Sequence, residues 1–259
     1  MHWPATVTVL SVIAVAAGCA SVVEPPAQVA LPQVKLFSRN QPGDTLPDGW
    51  RLWTLSRFKK ATEYKLVNTE GRVAVRARAH GSASGLVHAL DIDPRRYPLL
   101  HWQWKVDNLI ASADNTTKQR EDSPVRVVVS FDGDRDALPL KERMFFDNVR
   151  LLTREQLPYA TLMYIWENRA PRDSVLPNQH TSRIKMIVAE SGRDKVGTWQ
   201  HITRNVVDDY QRAFGEAPGR IVAIAVMTDT DNTGEQAQAW YGDILFRRGV
   251  PPPAKSHAD

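Results

Sequence analysis

The chain is predicted to fold as an antiparallel β-sandwich of jelly-roll kind with two short helices. Three observations carry this all-β reading. Apolar and polar residues alternate at period two in segment after segment, as where Leu100, Trp102, Trp104 and Val106 interleave with His101, Gln103 and Lys105. The segments follow one another without the strand–helix–strand rhythm of a parallel sheet. There are about ten of them, a number that divides naturally between two sheets.

Taken in order, residues 63–68 and 72–79 flank Thr69-Glu70-Gly71, a short hairpin signal. In the second, Val73, Val75 and Ala77 alternate with Ala74, Arg76 and Arg78. Residues 84–92 form the next strand, closed by Asp93-Pro94, and 100–106 follow, with Trp102 and Trp104 on the core face. Residues 125–131 are β-branched and nearly all apolar, which marks a central strand. At 141–155 the period changes: Phe145, Val149 and Leu152 recur at helical spacing and predict a helix over one end of the sheet. Strands resume at 161–167, 183–189 and 198–203. A second helix is predicted over 205–214, with Asn205 as its cap, Asp208 and Asp209 in its first turn and Gly215 at its end. Strands at 221–227 and 237–246 complete the domain.

The 259 residues allow one large β-domain or two small ones, and 42% hydrophobic content with eight Trp predicts a sizeable core. The formal charge of +4 is spread among acids, with no Lys/Arg tract and no nucleic-acid motif, so nucleic acid is not an expected partner.

Residues 5–17 are apolar with small residues at their end, the length of a signal h-region and too short to span a bilayer. They run into Ala16-Ala17-Gly18-Cys19, and this lone cysteine excludes an intramolecular disulfide. The run resembles the lipobox of bacterial lipoproteins, in which the Cys is lipidated and becomes the new N-terminus. It departs from that pattern in having Ala16 where Leu is commonest and no Lys or Arg in the first three residues. Ala20 and Ser21 follow with no Asp, which by resemblance to the enterobacterial sorting rule implies the outer membrane, facing the periplasm. The expected organisation is a signal peptide at 1–18, a Pro-rich tether at 19–45, one sandwich domain at 46–250 and a disordered tail at 251–259.

Candidate chemistry lies in several places. Asp229-x-Asp231-x-Thr233-Gly234 has the alternate oxygen ligands and turn glycine of half a calcium loop, although Trp240 stands where a bidentate Glu belongs. Asp229, Asp231, Asn232 and Asp243 are the candidate cation ligands, with calcium the ion suited to them, or else the corner is a plain turn. A second acidic run, Asp132-Gly133-Asp134-Arg135-Asp136, lacks the turn glycine. Lys118, Glu121 and Asp122 before the central strand and Arg126 on it are expected to form one charged constellation at a sheet end, or else surface ion pairs of a loop, and Lys185 lies on another strand. Asp122 and Glu190 are an acid/base pair if their separation suits glycoside chemistry. Trp240 and Tyr241, on opposite faces of the last strand, are candidate ligand contacts. No nucleophile elbow, Walker loop or dinucleotide fingerprint is present.

Several of these runs together resemble a bacterial domain-of-unknown-function family, number 3047 in its series. They are Trp102-Gln103-Trp104-Lys105-Val106, Thr116-Thr117-Lys118 with Glu121-Asp122, Tyr164-Ile165-Trp166 and Ile184-Lys185-Met186 with Glu190-Ser191-Gly192. Arg204-Asn205-Val206 with Asp208-Asp209-Tyr210, and Met227 through Thr233, belong to the same set. The resemblance implies an exported protein and adds no activity. Trp240-Tyr241-Gly242-Asp243-Ile244 is similar to the last strand of galactose-binding-like jelly rolls and carbohydrate-binding modules. The expected function is a periplasm-facing lipoprotein whose sandwich binds a saccharide or other polar envelope ligand, with or without a cation. A hydrolase or lyase of envelope polysaccharide using Asp122 and Glu190 is the alternative, and a structural or assembly protein of the envelope a second.

Overall fold

The computed structural model describes residues 33–249 except 44, 55–57 and 154–155. The expected signal segment, Cys19, most of the expected tether, the expected tail and the end of the first predicted helix lie outside the described residues.

Among the described residues, twelve strands form in chain order. They begin with β1 (Arg51–Thr54), β2 (Glu63–Thr69), β3 (Arg72–His80), β4 (Ala83–Ile92), β5 (Leu99–Val106) and β6 (Ser123–Phe131). They continue with β7 (Ala160–Glu167), β8 (Val175–Pro177), β9 (Ile184–Ser191), β10 (Gln200–Asn205), β11 (Ile221–Asp229) and β12 (Gln236–Arg247). The larger sheet has seven strands in the order β1-β4-β11-β6-β7-β9-β8, and the smaller has five, β10-β5-β12-β3-β2. From β3 to β6, and again from β10 to β12, successive strands alternate between the sheets, the winding of a jelly roll. One pair corrects the all-antiparallel expectation: β7 and β9 run parallel. After β7 the chain passes to the edge as β8 and returns as β9 between them, so β9 repeats the direction of β7.

The core is set by the alternation seen in the sequence. On β5, Leu100, Trp102, Trp104 and Val106 are buried while their neighbours are half-exposed. Trp102 stacks on Tyr164 of the opposite sheet with ring centroids 5.0 Å apart, and Trp104 lies 6.5 Å from Trp166. The β2–β3 hairpin closes through Glu70 and Gly71, both at positive φ (51° and 77°), the two-residue turn whose twist matches its strands. Strands β1 and β8 are short and little buried, and so carry no periodicity to read.

Helix α1 (Leu140–Thr153) and helix α2 (Val206–Phe214) replace the predicted spans within two residues at each end. The Asn205 side chain accepts from the amides of Val207 and Asp208, and Gly215 closes α2 at φ 74°. The buried Glu142 carboxylate fastens α1 to the loop before β9, accepting from the Ser182 amide at 2.9 Å and the Ser182 hydroxyl at 2.8 Å, and from the Thr181 hydroxyl. Those three donors, working against burial, hold Glu142 below the usual carboxylate range.

Two ends of the sandwich can be distinguished. At one, β11 finishes at Asp229 opposite Ala83 of β4. At the other, Ile221 pairs with Ile92, Arg247 pairs with Leu99, and Gln33 and Val34 lie beside Asp91 and Arg220.

Candidate binding groove

At the Asp229 end, β11 leads into a turn closed by the Gly234 amide on the Thr230 carbonyl (2.9 Å), with Gly234 at φ 74°. The loop that precedes β6 lies against this turn. Asp122, fully buried, accepts from the amides of Asn232 (3.2 Å) and Thr233 (2.8 Å), while the Asn232 side-chain amide donates to the Glu121 carbonyl at 3.3 Å. Asn115 braces the loop from below, donating to the Asp122 carbonyl at 3.0 Å. The acidic corner and the charged constellation, separate in the sequence, are therefore one site.

Arg126 projects from the outer face of β6, 2% exposed, and forks onto Asp229 of the neighbouring strand: Nε donates to Oδ1 at 2.9 Å and Nη2 to Oδ2 at 3.1 Å. Nη2 also donates to the Glu121 carbonyl (2.8 Å), and Nη1 lies 3.7 Å from the Glu121 carboxylate and 3.4 Å from the Met186 sulfur. Burial works to lower the Arg126 pKa, but the carboxylates of Asp229 and Glu121 outweigh it and the net shift is upward. For Asp229, burial and the nearby Asp122 charge outweigh Arg126 and raise the pKa to about 6. The guanidinium therefore stays charged.

These residues form the polar end of a groove on the outer face of the larger sheet. Its first chamber, of about 490 Å³, is lined by Lys59, Lys118, Glu121, Arg126, Asp229, Asp231 and Asn232, with Trp53 of β1 on one wall and Phe145 and Val149 of α1 on the other. Lys59 pairs with Asp231 at the mouth, and Asn178 donates to Glu121 at 3.3 Å. A second chamber of about 350 Å³ adjoins the first and shares Trp53, Leu157, Met163 and Ile184 with it. Both volumes are in the range of small-molecule sites, about 300–1,000 Å³.

Other expected site residues fall elsewhere. Asp243 is on β12 in the smaller sheet, accepting from the Ser38 amide at 2.9 Å and hydroxyl at 2.6 Å, so it cannot join Asp229, Asp231 and Asn232 around one ion. Trp240 stands on the outer face of that sheet with Lys105 Nζ 4.5 Å from its ring, away from the groove. Tyr241 points into the core, where its hydroxyl donates to the Met227 carbonyl (2.6 Å) and accepts from the Arg126 amide (3.3 Å), so it supports the site from beneath. Lys185 alternates with Ile184 and Met186 and takes the core side of β9, opposite the groove. Glu190 is 2% exposed and held by Lys195 at 2.8 Å, with β7 lying between its strand and β6, which Asp122 precedes. Asp122 is committed to backbone amides, so the two carboxylates are not poised as an acid/base pair. In the other acidic run, Asp132 and Asp134 accept from the amides of Gly133, Asp136 and Ala137 and act as turn caps.

Among the described residues, Asp122, Asp229 and Asp231 bring carboxylate oxygens within 4.8 Å of one another. Backbone amides, Arg126 and Lys59 already answer these oxygens, so a cation would enter only by displacing Lys59 from Asp231. Sequence reasoning missed Trp53, Lys59 and Asn178. Trp53 sits in a four-residue strand too short to show a period, and the other two are single polar residues in loops.

The fold and groove define a jelly-roll β-sandwich with a ligand-sized cleft on one sheet. Residues 48–245 match the family described as Protein of unknown function (DUF3047), and the chain belongs to that family. No curated protein matches it. Among solved structures, the family 30 carbohydrate-binding module of a Clostridium thermocellum cellulosomal cellulase is similar at 10% identity and a TM-score of 0.33, over 85% of this chain and 95% of that one. A variant of the family 29 module CBM29-2 is similar at 12% identity and a TM-score of 0.32, over 81% and 89%. The glycoside hydrolase domain of Endo-D from Streptococcus pneumoniae R6 gives 8% and 0.33, over 79% of this chain, which spans only 22% of that one. At such scores the likeness says nothing of ligand, and the architecture rests on the strand pairing itself.

Proposed function

We propose that this protein is a lipoprotein anchored through Cys19, facing the periplasm from the outer membrane, whose groove binds a saccharide or another polar envelope ligand. One observation carries the binding reading: Lys59, Lys118 and Asp231 gather at the mouth of a chamber walled by Trp53. Sugar hydroxyls donate and accept at once, so they suit a mixed array of carboxylate and ammonium groups, and the apolar face of a sugar ring suits an indole. The buried Arg126–Asp229 pair beneath is already satisfied and fixes the frame, leaving the mouth residues to meet the ligand.

Calorimetric titration of the purified protein with peptidoglycan fragments and envelope oligosaccharides tests this. Asp231→Ala and Trp53→Ala are each expected to weaken binding about tenfold. Affinities unchanged in both variants would refute the site. Calcium is the ion the oxygen ligands suit, and a calcium-dependent rise in melting temperature that Asp231→Ala abolishes would add it to the site. Mass spectrometry of the mature N-terminus, with Cys19→Ser as control, tests the anchor.

A further inference from the structure

We infer that the groove takes an amphiphile, with its polar head at the Asp231 mouth and an alkyl or acyl chain laid along the second chamber. The head assignment rests on the saccharide reading above, but the chain assignment stands on separate observations.

A sheet face open to water is ordinarily polar. Here three adjacent strands turn apolar side chains outward: Val87 from β4, Ala223 and Ala225 from β11, and Val128 from β6, with Ser130 of β6 and Thr161 of β7 beside them. These are small residues flanked by larger ones, Trp53, Leu157 and Tyr159, and that contrast makes a trough instead of a flat face. Val128 and Ala225 on its floor are only 3% and 4% exposed. The near-continuous apolar runs of β6 and β11 in the sequence thus have two causes, one face for the core and the other for this floor.

Ser130, Thr161, Arg51, Asp132, Arg135 and Gln156 bring polar groups to other points of the lining, but a second sugar ring laid on the floor of Val87, Val128, Ala223 and Ala225 would set the hydroxyls of one face against aliphatic carbon, a costly burial. An alkyl chain suits the apolar floor between Trp53 and Leu157, and each methylene it buries there adds affinity. The two chambers meet at Trp53, Leu157, Met163 and Ile184, so one molecule can pass from the charged end to the apolar end without leaving the groove.

The test is calorimetric titration of the protein with n-alkyl β-maltosides from methyl to decyl, each below its micelle concentration. Affinity is expected to rise about three- to fourfold per added methylene until the trough is full. Leu157→Glu, at the half-buried rim, should flatten that dependence, whereas Asp231→Ala should lower all affinities and leave the slope intact. Ala225→Trp, which fills the floor, serves as the second blocking variant. A flat dependence in the unaltered protein, or a slope that neither blocking variant reduces, would overturn the proposal. Replacing maltoside by phosphocholine of equal chain length separates the two readings: equal affinity would sink the saccharide head while the chain slope stood. Methyl maltoside that binds with no gain from longer chains would do the reverse.

Discussion

Arg126 and Asp229 meet edge-on from adjacent strands, Nε to Oδ1 at 2.9 Å and Nη2 to Oδ2 at 3.1 Å, on the groove side of the sheet. Both are almost fully buried, so each charge depends on the other. Removing one partner strands the other in a poorly solvating place, and Arg126→Met is expected to cost about 3–5 kcal/mol in urea unfolding. Pairing it with Asp229→Leu should recover much of that loss, because the desolvation of both ions disappears together. A double variant no more stable than Arg126→Met would show that the pair is not the source of the cost.

The acidity of Asp229 gives a pH signature. Its folded pKa of about 6 lies above the ordinary 3.8, so between these values the native state holds a proton that the unfolded chain has released. Stability from this group is full at low pH and is lost as pH rises through about 4 to 6. The size is about 3 kcal/mol by linkage. Glu142 and Glu235, held below their ordinary range, act in the opposite sense. The readout is therefore the stability difference between the unaltered protein and Asp229→Asn, which should fall by that amount between pH 4 and pH 7. A constant difference would place Asp229 at an ordinary pKa.

Asp122 is expected to behave as a structural residue. Asp122→Ala leaves the amides of Asn232 and Thr233 without their acceptor in a buried turn and should cost about 2–4 kcal/mol. Asp122→Asn, which keeps one acceptor oxygen, should recover part of it. Chemical denaturation of the three proteins checks this. Full stability in Asp122→Ala would free the carboxylate for another role.

Legibility in the sequence followed the strength of local signals. The period-two strands, the capped helix at Val206 and the Glu70-Gly71 turn were readable because each is written in contiguous residues. The groove was readable only in halves. Nothing local says that Asp122 will meet Asn232, since 110 positions separate them and strand order brings them together. Asp243 and Trp240 were drawn to the site by closeness along the chain, but the sandwich sends β12 to the other sheet. Lys185 was misplaced by one step of the pleat, because a strand apolar on both faces gives no sign of which face is the core.

The described chain enters and leaves the sandwich at the end holding Arg220 and Leu99, and the Asp229 corner lies at the opposite pole. A body held by either terminus is thus a mast with its charged tip outermost. Fusion partners, affinity tags or a solid support can be attached at Gln33 or Gly249 without shading that tip. If the proposed membrane anchor holds the chain at that end, the charged tip points away from the bilayer.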